Sequence, residues 1–264
     1  MRTEPDTTYR RHERVMGTVA SIRVHDDVAL DVVDRHVDAA LVELHRIERV
    51  FSTFLSYSEI SRINRGELDV LDARREVLEV LDSCTWLEHA SGGAFDAHRP
   101  DDPTQLDPAG FVKGWAAERA AERLRAGGLQ HWWFGVGGDV IVHGHPSEHR
   151  MWQVAIADPL HPGEIIGVID TTDGAIATSG TAERGTHVWD GRTRTRADAL
   201  VSFTVTGPSL TWADAFATTG LAMGPTGVEW VGRFDGYQAL AMSPDGTLRT
   251  SAAFGVEPVD PTPA

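Results

Sequence analysis

A fold of mixed β-sheets carrying packed helices is what this sequence predicts, and three observations lead there. Residues 15–24 and 200–206 alternate apolar and polar side chains with a period of two, the mark of strands. Residues from about 27 to 51 instead place Val33, Val37, Leu41, Leu44 and Ile47 on one stripe, with Asp31, Asp34, Arg35 and Asp38 off it, the mark of an amphipathic helix. Finally, 264 residues without an internal repeat or a boundary-marking linker fit one large domain or two intimately packed ones.

Taken in order, residues 1–14 are polar and read as a flexible N-terminal segment, followed by a single domain over residues 15–255. In the first strand, Gly17 suggests a bulge or a close backbone approach. After the long helix comes a hydroxyl-rich loop, Phe51-Ser-Thr-Phe54, entering a short helix for which Ser58 is a candidate N-cap. A second amphipathic helix spans about 75–90, with Leu78, Leu81, Thr85 and Trp86 near one face, and Ser91-Gly92-Gly93 ends it. A Pro- and Asp-rich loop, 99–108, leads to Lys113-Gly114 and a helical pattern stopped by Gly127-Gly128. Strands follow at 131–136, 139–143, 152–157 and 165–170, and residues 174–180 form a small-residue segment able to press its backbone against a ligand. Residues 210–223 read as a helix with Ser209 as a candidate cap. Residues 237–242 and 247–252 flank Pro244-Asp245-Gly246 as a hairpin. The Pro-rich residues 256–264 read as a loose tail.

Composition narrows the function. A formal net charge of −15, from 39 acids against 24 Lys+Arg, argues against a nucleic-acid or anionic-membrane partner, which a basic face would serve. No apolar run follows Arg10-Arg11 and no lipid-attachment cysteine is present. The expectation is therefore a cytoplasmic protein without membrane insertion. The lone cysteine, Cys84, lies in a helical pattern and reads as a small buried hydrophobe. No HExxH, CxxC or Gly-x-Ser-x-Gly pattern occurs, which sets aside zinc-protease and α/β-hydrolase chemistry. Gly135-x-Gly137-Gly138 leads into a strand and reads as a hairpin turn in preference to a dinucleotide fingerprint.

Three residue groups point to chemistry. Lys113 is the one lysine in a chain whose other cations are arginines. A compact ammonium after a Pro108/Gly110 turn, at a helix start, suits a phosphate; an ordinary surface lysine is the plain alternative. Asp214 and Thr218 stand at i and i+4 on one helix face, a hard-oxygen pair suited to Mg²⁺. A solvated helix face would explain them equally, except that Ala213, Ala215, Phe216, Ala217 and Leu221 make this helix largely apolar, where a lone carboxylate is costly. His187 lies among Arg184, Arg192, Arg194 and Arg196 and is a candidate general base, the alternative being a loop histidine without a role.

In order along the chain stand Met16-Gly17-Thr18, Phe51-Ser-Thr-Phe54 with Ser58-Glu-Ile-Ser-Arg-Ile-Asn64, Gly93-Ala-Phe-Asp96 and Leu106-Asp107 through Lys113-Gly114. Gly137-Gly138-Asp139, residues 152–159, Thr178-Ser179-Gly180, His187 and Ala213-Asp214-Ala215 with Thr218 follow. Over about residues 16–255 this series resembles the ApbE family, the FAD:protein FMN transferases. The resemblance implies an α+β, T-fold-related architecture, bound Mg²⁺, and FAD as substrate. It implies cleavage of the FAD pyrophosphate, transfer of FMN to a Ser or Thr hydroxyl of an acceptor protein, and release of AMP. By position, Met16, Phe54, Ala94, Phe95, Asp96, Asp107, Lys113 and Val188 would line the flavin nucleotide. The Gly110 carbonyl, Asp214 and Thr218 would hold Mg²⁺, Asp214 would serve catalysis as well, and His187 would take the catalytic histidine's place. The acceptor-facing loop departs from the family: His187-Val-Trp-Asp-Gly lacks the usual proline, and Gly180-Thr-Ala-Glu-Arg184 lacks the usual tyrosine. An FAD pyrophosphatase and a non-catalytic FAD-binding protein are the alternatives to a transferase.

Overall fold

The computed structural model describes residues 8–180, 188–252, 254–255 and 257–258. The chain opens with a hairpin of β1 (Tyr9–Val15) and β2 (Thr18–Val24), fully paired from Tyr9↔Val24 to Val15↔Thr18. Met16 and Gly17 form its turn with φ of 54° and 69°, the left-handed pair that a two-residue type I′ turn demands. The bulge expected at Gly17 is thus a turn. Residues 9–14, expected in a loose segment, are strand, because β2 satisfies their backbone groups.

All of α1 (Leu30–Phe51), α2 (Glu59–Asn64), α3 (Arg75–Ala90) and α4 (Ala109–Ala126) is inserted between β2 and β3 (Trp132–Val136), which pair directly. There follow β4 (Asp139–His143), β5 (Trp152–Ala157), β6 (Ile165–Thr171), β7 (Gly174–Gly180), β8 (Trp189–Asp190), β9 (Thr195–Arg196) and β10 (Ser202–Gly207). The remaining elements are α5 (Leu210–Met223), α6 (Gly227–Val231), β11 (Gln238–Met242), β12 (Leu248–Thr250) and β13 (Glu257–Pro258). Eight strands make an antiparallel sheet in the order β1-β2-β3-β4-β7-β10-β11-β12, and β13-β6-β5 make a second sheet of three. Glu257–Pro258, expected in the loose tail, pair with β6 instead.

The middle of the large sheet is covered on both faces, and its sequence shows it. In β4, Ile141 joins the helix-side core while Val140 and Val142 join a smaller core with Trp152, Val154, Ile156 and Ile169 of the second sheet. A strand buried on both sides reads as a continuous apolar run, as Val140-Ile-Val142 does. The α1 stripe Val33, Val37, Leu41, Leu44 and Ile47 is buried as expected. In α3 the buried face is Val77, Val80, Cys84 and Leu87, one position off the expected Leu78, Leu81, Thr85 and Trp86. Both sets have helical spacing. The helix buries the slimmer one against its neighbours and leaves Trp86 45% exposed, edge-on to Trp212. Burial pushes the Cys84 thiol up to about 12.

Two local devices set the helices that carry the site. Ser58 caps α2 as expected, accepting from the Ser61 N–H at 3.0 Å. Ser209 does not cap α5. Its hydroxyl donates to Glu118 of α4 at 2.7 Å, and the same carboxylate oxygen accepts the Thr211 N–H at 3.0 Å. The α4 helix begins at Ala109, so Lys113 sits in its second turn and not at its N-terminus. At Gly114, α4 and α5 come so close that an added Cβ would lie 2.6 Å from both the Asp214 Cβ and the Leu210 carbonyl oxygen. Gly114→Ala should therefore destabilise the protein by about 1–3 kcal/mol, as overpacking does. Thermal denaturation checks this, and an unchanged midpoint would show that the two helices are not held at this distance.

Candidate active site

The second turn of α4 and the middle of α5 face each other across Gly114, and there the chain gathers its buried charges. Asp214 is 1% exposed; its Oδ2 accepts the Gly114 N–H at 2.8 Å and its Oδ1 lies 3.0 Å from the Lys113 ammonium. The same ammonium is in contact with the Oδ2 of Asp139, also 1% exposed, at the head of β4. The Asp139 Oδ1 accepts the Thr178 N–H of β7 at 3.0 Å. The Asp139 carboxyl is raised to about 7: burial pushes it up most, Lys113 pulls it down and the nearby Asp214 charge pushes it up further. For Lys113, burial alone favours the neutral amine, yet Asp214 and Asp139 together outweigh it and raise its pKa. The single lysine is thus an internal counter-ion shared by two carboxylates. Asp139 went unassigned in the sequence; an acid heading an apolar strand, in a chain with one lysine, was its signal.

One turn along α5 from Asp214, the Thr218 hydroxyl lies 3.0 Å from the Ser179 hydroxyl of β7. A Cβ added to Gly110 would lie 3.3 Å from both Thr218 Cγ2 and Phe95 Cε2, so the first turn of α4 is seated against Thr218. The donors offered here are a carboxylate, a hydroxyl and a main-chain carbonyl, a hard-oxygen set that fits Mg²⁺. At the rim, Asp158, His161 and Glu164 also bring three ligand atoms within 4.8 Å of one another. That group is less apt. Asp158 is already engaged by the N–H groups of Leu160 and His161, at 2.8 and 3.3 Å, and its partners are exposed.

These groups lie on the wall of a cleft of about 1020 Å³, at the upper end of the range for small-molecule sites. Gly110 and Lys113 come from α4, Asp214 and Thr218 from α5, and Thr178 to Gly180 from β7. Met16 contributes from the strained hairpin turn, where its N–H donates to Glu48 at 2.8 Å. Phe54 stands 97% exposed at the lip. Ala94 and Phe95 are buried behind it, and Asp96 binds His98 Nδ1 at 2.7 Å and its N–H at 2.9 Å. Asp107, before α4, accepts the Ala109 N–H at 3.3 Å, and burial raises its pKa. Val188 is buried on the far wall. The structure therefore brings every expected ligand and metal residue to one cleft. His187 and Arg184 lie outside the described residues, while Gly180 and Val188 on either side both line the cleft. The other arginines are engaged: Arg192 pairs with Asp190 at 2.7 Å, Arg194 donates to the Arg99 carbonyl at 2.7 Å, and Arg196 lies over Trp189.

Comparison with known proteins places the fold. The sequence profile of the ApbE family matches residues 16–99 and 97–241. The chain belongs to the ApbE family. A Vibrio cholerae FAD:protein FMN transferase is 28% identical over 166 residues, covering 58% of this chain and 47% of the relative. The Escherichia coli (strain K12) protein of that name is 30% identical over 144 residues, covering 51% and 41%. A Chlamydia pneumoniae FAD:protein FMN transferase is 26% identical over 236 residues, covering 66% and 72%. The matches to the Vibrio and Escherichia relatives thus span about half of their length or less. Among solved structures, the ApbE protein of Thermotoga maritima superposes with a TM-score of 0.82 at 21% identity, covering 94% of this chain and 98% of that one. The flavin transferase ApbE of Vibrio cholerae gives 0.80 at 21% identity, with the same coverage. The fold is accordingly the α+β fold of the ApbE flavin transferases. No helix among the described residues is long and apolar enough to cross a membrane.

The raised Asp139 carboxyl fixes the sign of a pH effect. Its folded pKa of about 7 exceeds the ordinary carboxylate value, so the native state binds the extra proton in between. Stability from this group is present at low pH and is lost as pH rises toward 7. Metal-free wild type should lose stability from about pH 4 to 7 relative to Asp139→Asn. Parallel urea-denaturation series across that range check it, and a wild type that gains on the variant with rising pH would contradict the assignment.

Proposed function

We propose that this protein is a Mg²⁺-dependent flavin transferase that takes FAD as substrate, passes FMN to a Ser or Thr hydroxyl of an acceptor protein, and releases AMP. The observation that carries the reading is the convergence of Gly110, Lys113, Asp214 and Thr218 on one wall of a nucleotide-sized cleft, in a chain of this family.

The roles follow from the chemistry of each group. Asp214, Thr218 and the Gly110 carbonyl would hold the ion. Mg²⁺ held there would offset charge on the pyrophosphate oxygens and favour in-line displacement. Lys113 adds a fixed positive charge beside them and, through its two carboxylates, keeps Asp214 aimed. The apolar wall of Ala94, Phe95 and Val188, with Phe54 at the lip, suits a flat aromatic ring system, and Met16 closes the cleft from the hairpin. His187 would accept the proton of the attacking hydroxyl, so that the P–O bond to the acceptor forms as the bond to AMP breaks. This role rests on the family position of His187.

Incubating the protein with FAD and Mg²⁺, with and without a Ser/Thr-bearing acceptor, and following AMP tests the reading. AMP release that requires the acceptor supports transfer; release of the same size without it marks an FAD pyrophosphatase; none under either condition marks a flavin-binding protein without turnover. Asp214→Asn keeps an acceptor for the Gly114 N–H and should abolish the Mg²⁺-dependent rate. A variant turning over at the wild-type rate would refute the metal assignment. His187→Ala should slow AMP release by about 10²-fold or more with FAD affinity unchanged, as loss of a general base does. Weaker FAD binding with a normal rate would assign the residue to positioning.

A further inference from the structure

A second cleft, of about 490 Å³, shares no lining residue with the first. It lies where the β1–β2 hairpin meets the three-stranded sheet. Among the described residues its lining holds Arg10, Arg23 and Arg150 with His25 and His149, and Asp170 as the one carboxylate. In a chain where acids outnumber Lys+Arg by 39 to 24, this is a local reversal of sign.

The fold forces these cations together. The hairpin register sets Arg10 directly opposite Arg23, a cross-strand placement in which like charges repel. Arg23 is held in place by its other neighbour: its guanidinium lies 4.9 Å from the Trp133 ring centroid, across the β2–β3 pairing. From the other sheet, the turn before β5 adds Arg150 and His149, the latter at a left-handed φ of 62° that a β-carbon disfavours. Trp152 forms part of the lining, with the His25 ring edge-on at 5.1 Å. Guanidinium groups lining one concave site from two sheets suit the tetrahedral, multiply charged oxygens of a phosphate.

We propose that this cleft is an anion site that takes a phosphate-bearing small molecule, separate from the proposed flavin cleft. The cavity exceeds one phosphate and accommodates a diphosphate or a mononucleotide. Its occupant bears on the larger cleft through β5, whose Trp152 and Gln153 line the small cleft while Val154 to Ala157 line the large one.

Titration calorimetry of the full chain at low ionic strength, with inorganic pyrophosphate and with AMP as the probes, tests this. Because pyrophosphate also suits the large cleft, the titrations are repeated on Arg23→Ala/Arg150→Ala and on Lys113→Met. Wild type should show pyrophosphate binding that the double arginine variant weakens at least tenfold, that Lys113→Met leaves in place, and that 0.5 M NaCl suppresses. FAD affinity of the arginine variant should be unchanged, since no residue is shared. AMP binding that tracks pyrophosphate across the variants would mark a nucleotide site; pyrophosphate alone would mark a site for the anhydride. Pyrophosphate binding unaltered in the double variant, abolished by Lys113→Met, or absent from wild type would overturn the proposal. Arg23 and Arg150 are exposed, so the double arginine variant should keep the wild-type thermal midpoint, and Arg23→Lys/Arg150→Lys, which keeps the charge without the fork, should bind with intermediate affinity.

Discussion

One ammonium between two buried carboxylates sets the terms for the rest of this structure. Asp139 and Asp214 come from a strand and a helix that are far apart in sequence, and each is removed almost wholly from water. Without a shared cation, either charge would be expelled or neutralised. Lys113 supplies that cation from α4, and so ties α4, α5 and β4 to one point. The constraint reaches further through the backbone. The Gly114 N–H, inside a helix, is bonded to a side chain of the neighbouring helix, which is possible only because glycine lets the helices touch. Glu118, one turn on, then fastens the start of α5 through Ser209 and Thr211.

This arrangement explains why the site can be both charged and dry. The large sheet is mostly apolar on both faces in its middle, and its charged groups gather at one edge of that core. Asp139 heads β4, Thr178 and Ser179 close β7, and Gly110 opens α4. The oxygen donors are thus brought together where the ends of β4, β7 and α4 meet the middle of α5, which carries Asp214 and Thr218.

Much of this was legible in the sequence, for identifiable reasons. The period of 3.6 in residues 30–51 survives in the fold because one face of α1 is buried, while the alternation near residue 202 places Phe203 and Val205 in the helix-side core and Ser202 and Thr204 on the other, also buried, face. The face of α3 was misjudged because two overlapping apolar stripes share its sequence, and only its neighbours decide between them. The strand β7 was unreadable as a strand: Ala175, Ile176 and Ala177 are buried against different layers, so no alternation appears. Lys113 stands out in the sequence by its rarity, but its two carboxylate partners could not be read from it. Pairings between residues distant in sequence leave no local trace, which is also why Asp139, though part of the Gly137-Gly138-Asp139 motif, had no role assigned to it. The strand content of residues 9–14 was hidden because polar, exposed side chains say nothing of backbone pairing.

The central claim is that the α4–α5 contact beside Lys113 is the metal centre. It is tested most directly by soaking crystals with Mn²⁺ as a Mg²⁺ surrogate and locating the ion by its anomalous scattering. The account predicts one ion bonded to an Asp214 carboxylate oxygen, the Thr218 hydroxyl and the Gly110 carbonyl at about 2.1–2.2 Å, with the Lys113 ammonium turned away from Asp214 and still on Asp139. An ion seated on Asp158, His161 and Glu164 instead, with the Lys113–Asp214 pair intact, would contradict it.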